Sequence, residues 1–224
     1  MMREIVLDTE TTGLSPKSGD KVVEIGCVEI VNQVATGETY HQYINPDRDM
    51  PEEAFAIHGL SDEFLSNKPI FADIADSFLD FVGDARFVIH NAEFDMNFLN
   101  WEFQTLGREP LAMDRATDTV RLARHKFPGS PASLDALCKR FQIDNSNRQL
   151  HGALLDARLL ADVYLELIGG RQRGLSLVGT HAVSEIASDE PKAGRPSRPH
   201  AASSFELADH KAFVGKISNA VWSE

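Results

Sequence analysis

Apolar residues recur along this chain with two periods, one near two and one near four. Residues 4–8 (EIVLD) form a short apolar run that closes on an acid, which predicts a buried strand. Residues 22–31 and 38–44 (ETYHQYI) are two more β-rich runs, and the turn-like residues 32–37 between them predict an antiparallel meander. Residues 11–16 read as a turn. From residue 70 the period lengthens: Ile70, Ile74, Phe78, Leu79 and Val82 share one helical face over 70–82. A strand over 86–89 (RFVI) then leads into His90-Asn91. Helices follow over 93–106, stopped by Gly107 and Pro110, and over 119–127, with Asp118 as N-cap and Pro128-Gly129 as the stop. Two more cover 133–141, capped by Ser133, and 152–168, stopped by Gly169-Gly170. Strands first, then strands alternating with helices, predict an α/β domain: a mixed sheet covered by helices.

After residue 170 the periodicity is lost. Residues 179–204 are rich in Ala, Ser, Pro, Gly and His and read as a flexible linker. Residues 205–224 regain large apolar groups: Phe205, Leu207, Phe213, Val214, Ile217, Val221 and Trp222. Phe213, Ile217 and Val221 recur every four residues, the spacing of one face of a short helix that folds on a partner.

Composition narrows the class. The chain has 224 residues, 42% hydrophobic and 25% charged, the balance of an ordinary globular domain. No apolar run reaches the ~20 residues that span a bilayer. The start, Met1-Met2-Arg3-Glu4, runs into a strand without a signal-peptide core, so no membrane association and a cytoplasmic location are expected. Cys27 and Cys138 lie far apart in apolar stretches and read as reduced core residues. The net charge of −12 is awkward for a free nucleic-acid binder, because Lys and Arg supply most non-specific affinity for phosphates. Either the partners are not nucleic acid, or something else holds the chain on it; acids that bound metal would also reverse the local field.

Three short segments carry chemistry. Asp8-Thr9-Glu10 places two acids at i and i+2, on one face of a strand. Their repulsion is relieved by a cation, and hard oxygen donors suit Mg²⁺ or Mn²⁺. The plain alternative is two exposed acids opening a loop. His90-Asn91-Ala92-Glu93-Phe94-Asp95 follows a strand and puts Asp95 in the first turn of a helix, where the macrodipole alone would favour an acid. In His151-Gly152-Ala153-Leu154-Leu155-Asp156, five residues of ideal helix are ~140° of rotation. His151 and Asp156 therefore converge only if His151 precedes the helix and Gly152 bends the chain. Asp156, flanked by Leu154, Leu155, Leu159 and Leu160, then needs a partner or a metal.

Together DTETTGL (8–14), HNAEFD (90–95) and HGALLD (151–156) resemble the three motifs of the DnaQ-like 3′→5′ exonucleases with four acids and a histidine. Residues 127–165 are similar nearly throughout to the proofreading epsilon-type subunits of bacterial DNA polymerase III. The resemblance covers about residues 3–170. It implies an RNase H-like five-stranded mixed sheet with helices on both faces, an exonuclease domain over 1–178, a linker over 179–204 and a polymerase-binding segment over 205–224. The implied enzyme removes mispaired 3′-terminal nucleotides as nucleoside 5′-monophosphates. Asp8, Glu10 and Asp156 would hold one divalent ion and Asp8 and Asp95 a second, with His151 as general base.

The resemblance also supplies a nucleotide site: Asp8, Glu10 and Asp156, with Thr11 for the 3′-hydroxyl, Leu14, Ile57 and Phe94 against bases, and His58 beside the terminal nucleotide. For Ile57 and Phe94, core packing is the alternative. His90 reads as structural, and Arg121, Arg124 and Arg173 as solvated helix charges. Gln172, Leu175 and Leu177 are similar to peptides that dock on a sliding clamp, and the C-terminal segment is expected to bind the polymerase alpha subunit. A small accessory subunit is left open. The substrate expected is a single-stranded or frayed 3′ DNA end, since a mispaired terminus unpairs at lower cost. The nearest rival is an RNA-trimming enzyme of the same superfamily, against which the Pro/Ser/Ala-rich tail counts. A binding module without catalysis is the rival of another class, and the intact acids and His151 count against it.

Overall fold

The computed structural model describes residues 2–146, 148, 150–169 and 201–218. Five strands, β1 (Arg3–Thr11), β2 (Val22–Val31), β3 (Val34–Tyr43), β4 (Arg86–Ile89) and β5 (Ala116–Asp118), form one sheet in the order β3-β2-β1-β4-β5. β1 pairs antiparallel with β2 and β2 with β3, while β1–β4 and β4–β5 are parallel. Among the described residues seven α-helices belong to this unit: α1 (Glu52–His58), α2 (Asp62–Leu65), α3 (Phe71–Val82), α4 (Ala92–Thr105), α5 (Thr119–Lys126), α6 (Leu134–Phe141) and α7 (Ala153–Ile168).

Each central strand is buried on both faces, which is why EIVLD reads as an unbroken apolar run. Ile5, Leu7, Ile25, Phe87 and Ile89 pack with Ile74 and Phe78 of α3 and with Met96 and Phe103 of α4. Val6, Val28, Ile30 and Val88 point the other way, onto Leu137 of α6 and Leu160 and Val163 of α7. The mixed sheet covered on both faces is the RNase H-like arrangement expected. Cys27 and Cys138 are free and buried, one in each core. Among the described residues no helix is long and apolar enough to cross a membrane.

Several boundaries differ from the pattern reading. β1 runs on to Thr11 because Thr9 and Glu10 keep pairing with Ile25 and Glu24. The joint expected over 32–37 is only Asn32-Gln33, both at positive φ (50° and 66°); Val34 and Ala35 already pair with β2. Such a two-residue turn matches strand twist. Ile70, expected on the buried face of α3, precedes that helix and is 44% exposed. Helices α1 and α2 and strand β5 were not anticipated. The two helices run for only seven and four residues and bury few side chains, and β5 has three residues, so none shows a full period. The expected caps hold: the Asp118 carboxylate accepts from Val120 and Arg121 N–H, and Ser133 Oγ from Ala136 N–H.

Residues 201–218 form a separate unit with one helix, α8 (Ser204–Val214). Ser203 caps it: its Oγ accepts from Glu206 N–H, and the Glu206 carboxylate accepts from Ser203 N–H at 2.8 Å. Phe205, Leu207, Phe213 and Ile217 are exposed. Helix α8 ends at Val214 and Ile217 lies beyond it, while Val221, the third residue of the face expected to form on a partner, falls outside the described residues. Most of the expected linker, together with Gln172, Leu175 and Leu177, also falls outside them.

Candidate active site

Three local devices bring the four acids together. Asp8 and Glu10 lie on the same face of β1, whose last parallel pair with β4 is Leu7–Ile89. Beyond Ile89 the chain must turn at once into α4, and Asn91 does this at φ 69°, a left-handed conformation that Asn tolerates well. The first turn of α4 then returns Asp95 to β1, where its Oδ1 accepts from Thr9 N–H at 3.0 Å and from the Thr9 hydroxyl at 2.7 Å. The third device is Gly26, the β2 residue opposite Asp8. A Cβ there would sit 2.2 Å from Ala153 C and from Leu154 N, so the start of α7 rests on the sheet only because this residue is glycine. One turn further on, α7 carries Asp156, 3% exposed.

The cluster is short of positive charge. Burial first, then Asp95, Glu10 and Asp156, pushes the Asp8 carboxyl well above the usual carboxylate range. Burial, followed by Glu24 directly across the ladder, raises Glu10 to about 8, and Arg148 opposes the rise. Burial raises Asp95 to about 7, against the hydrogen bonds from Thr9. Glu10 Oε1 is buried without a hydrogen-bond partner. Donor atoms of Glu10, Asp156 and His151 lie within 4.8 Å of one another. Hard carboxylate oxygens, an orphaned buried oxygen and mutual repulsion fit a divalent cation held among Asp8, Glu10, Asp95 and Asp156.

His151 lies before α7, as the bend at Gly152 requires, with its side chain 48% exposed. Its Nδ1 is 3.4 Å from Asp156 Oδ2 and 3.0 Å from Arg148 Nη2. Its backbone N–H donates to the Ile57 carbonyl, and Leu150 packs over Gly59, so the segment before α7 leans on α1. His90, read as structural, bonds to the Thr119 hydroxyl through Nδ1 at 2.9 Å.

A pocket of about 460 Å³ opens beside the acids, and Glu10, Thr11, Leu14, Ile57, His58 and Phe94 all line it. Leu14 and Ile57 are 85% and 50% exposed, which sets aside core packing for Ile57. Phe94 is half-buried against Phe98, so it serves the core and the pocket together. The Thr11 hydroxyl donates to the Gly13 carbonyl at 2.6 Å, leaving its lone pairs to accept from a ligand hydroxyl. His58 Nδ1 accepts from Leu60 N–H at 3.0 Å, which places the proton of the neutral ring on Nε2. That Nε2 is buried without a hydrogen-bond partner, and burial lowers the pKa of the ring.

Sequence reasoning missed three residues here. Arg148 holds Asp156 in a two-pronged bond, Glu24 faces Glu10 while bonding His41 at 2.7 Å, and Gly26 seats α7. A base three residues ahead of the His-Gly turn, in a chain of net charge −12, was the available signal for Arg148. Glu24 and Gly26 become visible only once the strand register is known.

Residues 5–164 match the family described as Exonuclease. The chain is 51% identical over 222 residues to the DNA polymerase III subunit epsilon of Rickettsia conorii, covering 96% of both. It is 51% identical over 176 residues to the subunit of the same name from Escherichia coli K12, covering 75% of this chain and 72% of that one. Among solved structures, exonuclease X in complex with 5′ overhanging duplex DNA matches at a TM-score of 0.59 and 27% identity, covering 74% of this chain and 90% of that one. A buried acid cluster suited to divalent metal, an adjoining pocket and these likenesses place the chain in the exonuclease family and, within it, among the DNA polymerase III epsilon subunits, as a metal-dependent 3′→5′ proofreading exonuclease.

Proposed function

We propose that the pocket receives the 3′-terminal nucleotide of a single-stranded or frayed DNA end, and that the four acids and His151 act on its phosphodiester. The observation that carries this reading is spatial. Four carboxylates and His151, drawn from three separate segments, adjoin a pocket lined by Glu10 and by all five of the other side chains assigned to nucleotide contact. Asp8, Glu10 and Asp156 would hold one divalent ion and Asp8 and Asp95 a second, both Mg²⁺ or Mn²⁺, supplying positive charge for the attacking water and the leaving oxygen.

The residues divide the remaining work. His151, exposed at the site's edge, takes the proton of the attacking water as the bond from phosphorus to the 3′-oxygen of the preceding nucleotide breaks. The product is a nucleoside 5′-monophosphate. Thr11 accepts from the terminal 3′-hydroxyl, and the His58 Nε2–H donates into the pocket. Leu14 and Ile57 offer exposed apolar surface to the base, and Phe94 offers its ring. Little base reading is needed, since a mispaired end reaches a single-strand site more often than a paired one.

The setting proposed is the cytoplasmic replicase. The segment at 205–224 binds the polymerase alpha subunit, residues 172–177 bind the sliding clamp, and a small accessory subunit is a further candidate partner. Tethering would offset the weak affinity of an acidic chain for DNA by raising its local concentration at the primer end. Mononucleotide release from single-stranded DNA and RNA oligomers, in Mg²⁺, Mn²⁺ or EDTA, tests the reading. Release from DNA with either metal and none in EDTA is expected. Preference for RNA would favour the trimming enzyme, and no release at all would favour a non-catalytic module.

A further inference from the structure

Arg148 is the one cation bonded directly to the acid cluster among the described residues. Its Nε donates to Asp156 Oδ1 at 2.6 Å and its Nη2 to Asp156 Oδ2 at 2.7 Å. The Arg148 and Asp156 side chains are 9% and 4% exposed. Its Nη1 donates to Asp135 Oδ1 at 2.8 Å, and Asp135 is 60% exposed. Nη2 also lies 3.0 Å from His151 Nδ1. A guanidinium does not give up its proton, so in that contact Nδ1 is the acceptor.

We propose that Arg148 competes with divalent metal for Asp156, and that its displacement also releases His151. Three points on the geometry support this. A two-pronged bond engages both carboxylate oxygens, the atoms a metal would need. A guanidinium beside a divalent ion is a like-charge contact, so the two do not share Asp156 at full strength. Asp135, nearer the solvent, gives the displaced arginine a carboxylate to remain on, so it need not be expelled into an apolar wall. The same movement removes the N–H that fills the Nδ1 lone pair, leaving the imidazole free to accept a proton. Arg148 is thus a positioning residue that couples metal arrival to readiness of the base, and this rests on the roles given above to Asp156 and His151.

The test is calorimetric titration of the EDTA-treated, dialysed full chain with Mg²⁺, comparing wild type with Arg148→Gln, Arg148→Lys and Asp156→Asn. Arg148→Gln should bind Mg²⁺ about tenfold more tightly, the effect of losing one strong charge-assisted competitor. Arg148→Lys, which keeps the charge and loses the fork, should fall between. Unchanged affinity would overturn the proposal. So would a weakening of ~10–100-fold, the mark of a partner that supports a metal ligand. Asp156→Asn separates the two readings: if it still binds Mg²⁺ as the wild type does, the metal-ligand assignment fails first. Should Arg148→Gln not fold, the ¹⁵N-detected Arg148 Nε–H signal of the wild type answers alone. It must shift on adding Mg²⁺, and a signal unmoved at saturating Mg²⁺ would refute displacement.

Discussion

Asp95 and His151 both border the acid cluster, yet they are held by different physics. Asp95 is 3% exposed, sits in the first turn of a fourteen-residue helix and takes two hydrogen bonds from Thr9 on the central strand. The side chain of His151 is about half exposed, on a segment joining two helices, and its contacts are Arg148, the Asp156 carboxylate and one backbone bond to Ile57. Removing Asp95 from its place means disturbing the core packing of α4, whereas moving His151 means rearranging charge pairs. The carboxylates must converge against their own repulsion, which takes a rigid scaffold. A proton acceptor, the role proposed for His151, has only to reach the bound substrate, and a loosely held side chain can do that.

The largest expected effect tests the rigid side. Asp8→Ala and Asp156→Ala should each reduce hydrolysis of a single-stranded oligomer to below about one per cent, since each would remove one of the proposed metal ligands. Their stabilities should part. In EDTA, Asp8→Ala relieves repulsion and should melt higher than wild type. Asp156→Ala leaves the half-buried Arg148 with Asp135 as its remaining carboxylate partner and should melt lower than Asp8→Ala. Equal melting temperatures for the two variants would erase that distinction.

The loose side is tested by His151→Ala. Turnover should fall ~10²–10⁴-fold, the range for a general base, while the rise in melting temperature on adding metal persists. Loss of that rise would move His151 into the metal shell.

A smaller effect follows from protonation. Glu10 is raised to about 8 and Asp95 to about 7, above the unfolded carboxylate values near 4. Between those limits the folded protein holds protons that the unfolded chain has lost, so stability falls as pH rises. Melts in EDTA from pH 5 to pH 8 should show this decline, at no more than about 1.4 kcal/mol per pH unit for each carboxyl. Saturating Mg²⁺ should flatten it, and a rising curve in EDTA would contradict the assignment.

The smallest expected effect concerns the C-terminal unit. Truncation after Gly179 should leave hydrolysis of a free oligomer almost unchanged while abolishing co-purification with the polymerase. If the truncated chain still co-elutes with polymerase, the anchor lies on the catalytic unit.

The pattern of residues was most informative where one period ran for several turns. The strands at 22–31 and 86–89 and the helix face of Ile74, Phe78 and Val82 matched their expected places, because each buries a continuous apolar stripe. Short elements escaped: α1, which supplies Ile57 and His58 to the pocket, has seven residues and buries only Ala54 and His58. The fold could still be inferred because the motifs occur in order on a strand, a strand end and a helix start.

What the sequence determined by itself is the inventory: four acids, a histidine, their order along the chain and the type of element carrying each. The element types follow from local periodicity and capping, and the set of acids with His151 from the resemblance of the three motifs to a known family. Only the tertiary structure decided which groups neutralise or oppose one another. Glu24 opposes Glu10 because antiparallel register puts them side by side, fourteen residues apart in the chain. Asp156 stands over Asp8 because Gly26 leaves room for α7, and Arg148 reaches Asp156 from outside any helix or strand. Charge interactions depend on distance and burial, which are set by strand pairing and helix packing between segments remote in sequence.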